Sequence, residues 1–280
     1  MEIIKHIAFS TRDDYELFNY LTQNGISVHQ VNGHHMASID ISTSDPHWHW
    51  ISNYVHKHNK LCLSDINFSK QELSEAQWLK VRCIWRTGYP EPSEQYKYKS
   101  ITYTNEKVCS ECSVGLLQQD SFRLKKAPSW GRRHFYAPFW IEDELFVSDL
   151  AKDILSNAEI SGISFMKVLH KSRNDFLTGV YQLVIPTILE NGLIEDESYL
   201  KTISVCSKCG TRKYCENGCG PLIMHKEIFE NVPDIVKTGD VFGGMPGIAC
   251  RHILINQKVY RILSDNQLDR SLQFYPIELR

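Results

Sequence analysis

The stretch VCSECSVG, residues 108–115, decides how the rest of the chain is read. Cys109 and Cys112 stand two residues apart, the spacing that turns two thiolates toward one point. A tetrahedral metal needs four ligands, so this stretch is half of a site. VCSKCG, residues 205–210, supplies a matching pair in Cys206 and Cys209. A second arrangement is also open: Cys206, Cys209, Cys215 and Cys219 lie within CSKCGTRKYCENGC and hold a metal alone, or Cys215 and Cys219 serve as additional thiols. The pairing of the two Cys-x-x-Cys turns is preferred because it explains why the motif occurs twice.

Working outward, the flanks of the two motifs resemble each other. LFVSDLAKDILSNAEI (145–160) aligns without gaps on ILINQKVYRILSDNQL (253–268). Each begins as an apolar strand, offers a good N-cap in Ser148 or Asn256, and contains Ile-Leu-Ser. Each then returns to an apolar segment, ISFMKV (163–168) or LQFYPI (272–277). The expected fold is α+β: two pseudo-repeated halves of strand, Cys-x-x-Cys, then strand–helix–strand, sharing one zinc site. These occupy residues 96–280.

The first 95 residues read as a separate α/β region. EIIKHIAFS is a strand, and DDYELFNYLTQ (13–23) places Tyr15, Phe18 and Leu21 on one helical face. HMASIDIS (35–42) alternates like a strand. Pro46 opens a helix through PHWHW, where Trp48, Ile51 and Val55 have core spacing. His47 and His49 fall on different faces there and are not expected as ligands. Ser69 and Glu72 form a capping box. TGYPEPSEQ (87–95) is polar and carries two prolines, so the boundary is placed there.

Bulk composition is that of an ordinary globular protein. Of 280 residues 42% are hydrophobic and 23% charged, and the formal net charge is −2, which argues against a basic nucleic-acid binder. No apolar run approaches the roughly 20 residues that span a bilayer. The opening MEIIKHIAFSTRDD does not look like a secretory signal, so a cytoplasmic protein with no membrane partner is expected. In that reducing setting the nine cysteines read as thiols or ligands. Cys62, Cys83 and Cys250, among apolar neighbours, are expected as buried thiols.

FRLKKAPSWGRRHFYAPFW (122–140) mixes basic and aromatic residues. It reads first as a long loop over the core. As a functional segment it is a partner surface of Arg123, Lys125, Trp130, Arg132 and Arg133, or a platform for single-stranded nucleic acid. GDVFGGMPG (239–247) lacks phosphate-loop spacing. No hydrolase, metalloprotease or kinase motif occurs, so no catalytic residue is assigned and no enzyme is expected.

The segments CSECSVG, ELFVSDLAKDILSNAEISGISFMKV, CSKCG, EIFENVPDIVKTGDVFG and RHILINQKVYRIL resemble the bacterial double-CXXCG proteins, a group that includes toxin-immunity proteins. The resemblance spans residues 109–263. It departs from the pattern at Ser113, which stands where a glycine is expected, whereas Gly210 matches. It implies zinc on Cys109, Cys112, Cys206 and Cys209, and a cytoplasmic protein that neutralises a cognate toxin by binding it. The alternative is a zinc-ribbon-type nucleic-acid-binding or regulatory protein.

Overall fold

The structure, a computed structural model, describes residues 1–30, 33–104, 106–172, 175–198, 200–216, 220–243 and 249–280. The chain divides into two compact units: Met1–Glu72 with Glu216–Gly220, and Leu73–Cys215 with Pro221–Arg280. The architecture is mixed α+β, as expected.

In the first unit the order is β1 (Glu2–Ser10), α1 (Tyr15–Gln23), β2 (His29–Gln30), β3 (Met36–Ser42), α2 (Trp48–Lys57) and β4 (Cys62–Asn67). The strands form one antiparallel sheet in the order β2-β3-β1-β4. This β-α-β-β-α-β order is the ferredoxin-like arrangement. Alternation along the strands puts Ile7 opposite Ile39 and Phe9 opposite Ala37, all on the buried face. Leu17 and Leu21 from α1, with Ile51, Tyr54 and Val55 from α2, close that core. Each such side chain contributes about 1.5–3 kcal/mol when fully buried. The face expected for α1 is corrected in one position. Tyr15 is 64% exposed, because Leu17 and Leu21, four apart, point at the sheet instead. Asp14 is buried beside α1. It accepts the Ser10 amide at 2.9 Å and the Tyr54 hydroxyl at 3.1 Å, and it pairs with Lys60 at 2.6 Å.

Next comes α3 (Lys70–Glu75), opened by the expected capping box. The Ser69 amide donates to Glu72 at 2.8 Å and the Glu72 amide to Ser69 Oγ at 3.2 Å.

The second unit continues with β5 (Trp78–Cys83), α4 (Tyr98–Thr102), β6 (Tyr103–Thr104), β7 (Leu117–Gln118), β8 (Arg123–Leu124), β9 (Phe135–Tyr136) and β10 (Leu145–Val147). Then follow α5 (Asp149–Asn157), β11 (Ser164–His170), β12 (Phe176–Val184), β13 (Leu200–Val205), β14 (Arg212–Glu216) and β15 (Leu222–Met224). The chain ends with β16 (Ile235–Lys237), β17 (Val241–Phe242), β18 (Ile253–Asn256), α6 (Gln257–Asp265) and β19 (Leu272–Leu279).

Two five-stranded sheets dominate this unit, in the orders β8-β11-β12-β10-β9 and β15-β19-β5-β18-β16. Their pairing senses match along the whole row. The outer pairs β8/β11 and β15/β19 are parallel, and every other neighbour is antiparallel. The inward faces share one core that includes Leu79, Val81, Leu145, Val147, Leu183, Ile253, Ile255 and Phe274.

Both long helices start where the sequence placed them. Ser148 accepts the Ala151 amide and Asn256 the Val259 amide, each satisfying a donor that a first turn leaves open. Because β5 is hydrogen-bonded between β18 and β19, residues 73–95, set in the N-terminal region by the proline-bearing boundary at 87–95, group with the second unit. Of the isolated cysteines, Cys83 is buried, and burial pushes its thiol up to about 11. Cys62 packs half-buried on the first unit's core. Cys250, half-buried rather than fully buried, donates to the Phe242 carbonyl at 3.3 Å. In GDVFGGMPG, positions 244–247 lie outside the described residues.

Candidate metal centre

Each Cys-x-x-Cys sits on a turn between short strands. β6 and β7 pair through Tyr103–Gln118 and Thr104–Leu117, and the first turn joins them. β13 and β14 are neighbours across the second. The two turns make the same backbone bonds. The Cys109 amide donates to the Val114 carbonyl at 2.8 Å and the Ser113 amide to the Cys109 carbonyl at 2.9 Å. The Cys206 amide donates to Thr211 and the Gly210 amide to Cys206, both at 2.9 Å. Ser113 and Gly210 occupy the same step, with φ of 62° and 69°. Serine therefore takes the left-handed conformation that glycine takes freely. Gly115 follows at φ 97°, and a Cβ there would lie 2.3 Å from the Lys107 carbonyl oxygen.

These turns bring four sulfurs together. Cys109 and Cys206 Sγ are 3.7 Å apart, Cys112 and Cys209 Sγ 3.4 Å, and all four lie within 4.8 Å of one another. A zinc–sulfur bond of about 2.3 Å in a tetrahedron separates its sulfurs by about 3.8 Å. The cluster thus fits a tetrahedral ion with soft sulfur ligands. A four-sulfur set fills the coordination shell and leaves no position for an activated water.

Second interactions lock the turns together: Lys208 donates to Ser110 Oγ at 2.8 Å, and Ser207 donates to Glu111 at 2.7 Å. The local field favours thiolate at two positions. The Thr211 hydroxyl and amide hold Cys209 down to about 6, and the Cys112 and Glu111 amides lower Cys109. Burial raises Cys112, the most enclosed of the four, to about 12. An ion at the centre would reverse that preference, since a ligating thiol is deprotonated outright.

Cys215 is exposed and lies outside the cluster, and Cys219 lies outside the described residues. The fold and site together define a mixed α+β chain with a four-cysteine metal-type centre. No known protein-family model matches the chain, and no curated protein matches it.

The basic aromatic segment is distributed differently from a stacking platform. The Trp130 indole donates inward to the Gly179 carbonyl at 2.8 Å and packs edge-on to Trp85 at 5.7 Å. Arg123 pairs with Asp120 at 2.9 Å, and Arg133 lies over the Trp85 ring at 5.0 Å. Lys125 and Arg132 are exposed. The exposed aromatic cluster joins the end of this segment to an earlier loop: Tyr89, Tyr96, Phe139 and Trp140 are each at least 38% exposed. Trp140 has Tyr89 at 4.4 Å and Tyr96 at 4.5 Å between ring centroids. Gln95, Tyr96 and Trp140 all hold left-handed backbone, at φ 48°, 59° and 73°. The sequence showed these aromatics but not that two separated loops present them together.

Proposed function

We propose that Cys109, Cys112, Cys206 and Cys209 hold one structural Zn2+ joining two pseudo-repeated halves, and that the protein is a non-enzymatic cytoplasmic immunity protein that binds and neutralises a cognate toxin. The observation that carries the metal reading is contact between like positions. Cys109 meets Cys206 and Cys112 meets Cys209, while Ser110 meets Lys208 and Glu111 meets Ser207. Around a twofold axis, residue i meets j and j meets i in this way.

Further equivalences support the duplication. The Ser148 amide donates to His134 and the Asn256 amide to Asp234. Ala137 donates to Trp85 and Lys237 to Thr187; Lys171 donates to Leu124 and Arg280 to Met224. One half is then β5, turn, β8, β9, β10, α5, β11, and the other is β12, turn, β15, β16, β18, α6, β19. On this reading each sheet takes its central strand from the other half.

The toxin-binding reading rests on the double Cys-x-x-Cys resemblance and on a centre that binds metal without offering it to substrate. The exposed aromatic cluster around Trp140 is the contact surface we assign to it, since aromatic residues dominate interface hot spots. A nucleic-acid role is the weaker alternative because Trp130 is engaged inward.

Elemental analysis of wild type, Cys109→Ser and Cys206→Ser tests the first part. One zinc per chain, lost in both variants, is the expected result. Loss in Cys206→Ser alone would sink the shared site. Co-expression with the product of a neighbouring toxin gene tests the second part. A toxin neither bound nor neutralised would end the immunity reading and leave the zinc reading standing.

A further inference from the structure

A cavity of about 130 Å³ lies beside the first cysteine turn. Its polar lining comes from Tyr103, Asp143, Glu144, Lys237 and Arg251, and Val114, Leu116, Ile188 and Val241 supply apolar wall. Glu144 and Lys237 form an ion pair at 2.7 Å, and both side chains are nearly buried. The second Glu144 oxygen accepts from Gln182 at 3.0 Å, and Gln182 exchanges two amide bonds with Gln118 at 2.7 and 2.8 Å. That network neutralises one charge pair internally. Removing such ions from water is costly, and a hydrophobic pair would stabilise a core at least as well.

The other two charges, Asp143 and Arg251, attract each other, and Asp240 also attracts Arg251, but hydrogen bonds engage only part of each group. Arg251 uses Nη1 on the carbonyls of Thr238 and Gly239, and among the described residues no hydrogen bond occupies Nε or Nη2. Asp143 accepts the Arg251 backbone amide through Oδ2 in a long contact of 3.4 Å, and no donor among the described residues reaches Oδ1. The site thus offers an anionic and a cationic anchor. A cavity of about 150 Å³ accommodates benzene, so this one suits a molecule of about six non-hydrogen atoms.

We propose that this cavity binds a small zwitterion of α-amino-acid type, its ammonium on Asp143 and its carboxylate on Arg251. Charged hydrogen bonds of this kind are about twice as strong as neutral ones, which favours a zwitterion over a neutral amide of equal size. The duplication adds a second argument. Asp143 and Arg251 stand equally far before the helix caps Ser148 and Asn256, so one position carries opposite charges in the two halves. The cavity argument stands without the duplication.

The test is calorimetric titration of the full-length, zinc-loaded protein with L-alanine and L-serine, with propionate and ethylamine as single-charge controls. One amino acid bound per chain, with a raised melting temperature and neither control matching it, is the expected result. Asp143→Asn and Arg251→Gln should each weaken binding by about tenfold or more. Ile188→Trp, at the half-exposed rim, should block it while zinc content is unchanged. Retained zinc in each variant separates loss of the ligand site from loss of the fold. Absence of binding at millimolar amino acid, equal binding of propionate, or binding untouched by all three substitutions would overturn the proposal. None of these readouts involves a toxin.

Discussion

Ser113 and Gly210 do the same job with different means. A non-glycine residue in the left-handed region costs roughly 1–2 kcal/mol. Ser113→Gly should therefore stabilise the metal-loaded protein by about 1 kcal/mol, and Gly210→Ala should destabilise it by a similar amount, both read from urea unfolding. Gly115→Ala should cost more than either, because its Cβ meets the Lys107 carbonyl as well as a φ of 97°. A neutral Ser113→Gly would mean that the turn relaxes around serine. Asp14 allows a prediction of the pH kind. Burial alone would raise its carboxyl, but the Lys60 ammonium, the Ser10 amide and the Tyr54 hydroxyl outweigh it, and the folded value lies below the ordinary 3.8. A lowered carboxylate contributes stability that is full above the unfolded value and is lost as pH falls through the folded one. Asp14→Asn should thus cost about 2 kcal/mol at pH 7, where Lys60 loses its partner, and much less at pH 2. Denaturant midpoints of both proteins at the two pH values decide it. A cost that does not shrink in acid would mean that packing, not charge, makes Asp14 important.

Caps are the elements most visible in sequence, because an N-cap bonds an amide three residues away. Ser148 and Asn256 were legible for that reason, as was the Ser69–Glu72 box, and β3 was legible from its alternation. Ser148→Ala and Asn256→Ala should each cost about 1 kcal/mol. The Asn256 change should be the larger, since its side-chain amide also donates to the Asp234 carboxylate at 2.7 Å, whereas the second contact of Ser148 is to the His134 ring at 3.0 Å. Equal losses would show that the Asp234 contact adds no more than the His134 contact does. Strand membership is the opposite case. Nothing in the residues of Trp78–Cys83 says that Leu79 will lie opposite Ile255 and Pro276. The polar, proline-bearing stretch 87–95 therefore placed it with the N-terminal region. Tyr15 was misplaced because an apolar ring at helical spacing carries no sign of which stripe meets the sheet. The Cys-x-x-Cys spacing exposed the candidate ligands, while the choice between Cys109 with Cys112 and Cys215 with Cys219 needed the fold. Glu144 and Lys237 left no local trace, since each looks like an ordinary surface charge until the sheets bring them together.

At the scale of the molecule, the two units depend on different things. The first closes a core of its own under α1 and α2, and none of the four cluster cysteines lies in it. The second carries all four on turns that belong to different stretches of chain, and its two sheets share a single core. Metal that binds only the folded cluster adds its binding free energy to the stability of the unit that forms the site. Chelation should therefore act unequally. In calorimetry with a strong chelator, the transition of the second unit should move down by many degrees and that of the first should stay in place. The signals are separable, because Trp48 and Trp50 report the first unit, and Trp78, Trp85, Trp130 and Trp140 the second, in single-tryptophan variants. Cys109→Ser should reproduce the chelated profile without chelator, and adding zinc back should restore wild type but not the variant. A chelator that shifts both transitions together would mean that the units unfold as one. One that shifts neither would mean that the cysteine turns are held by their own hydrogen bonds and that metal contributes nothing to the fold.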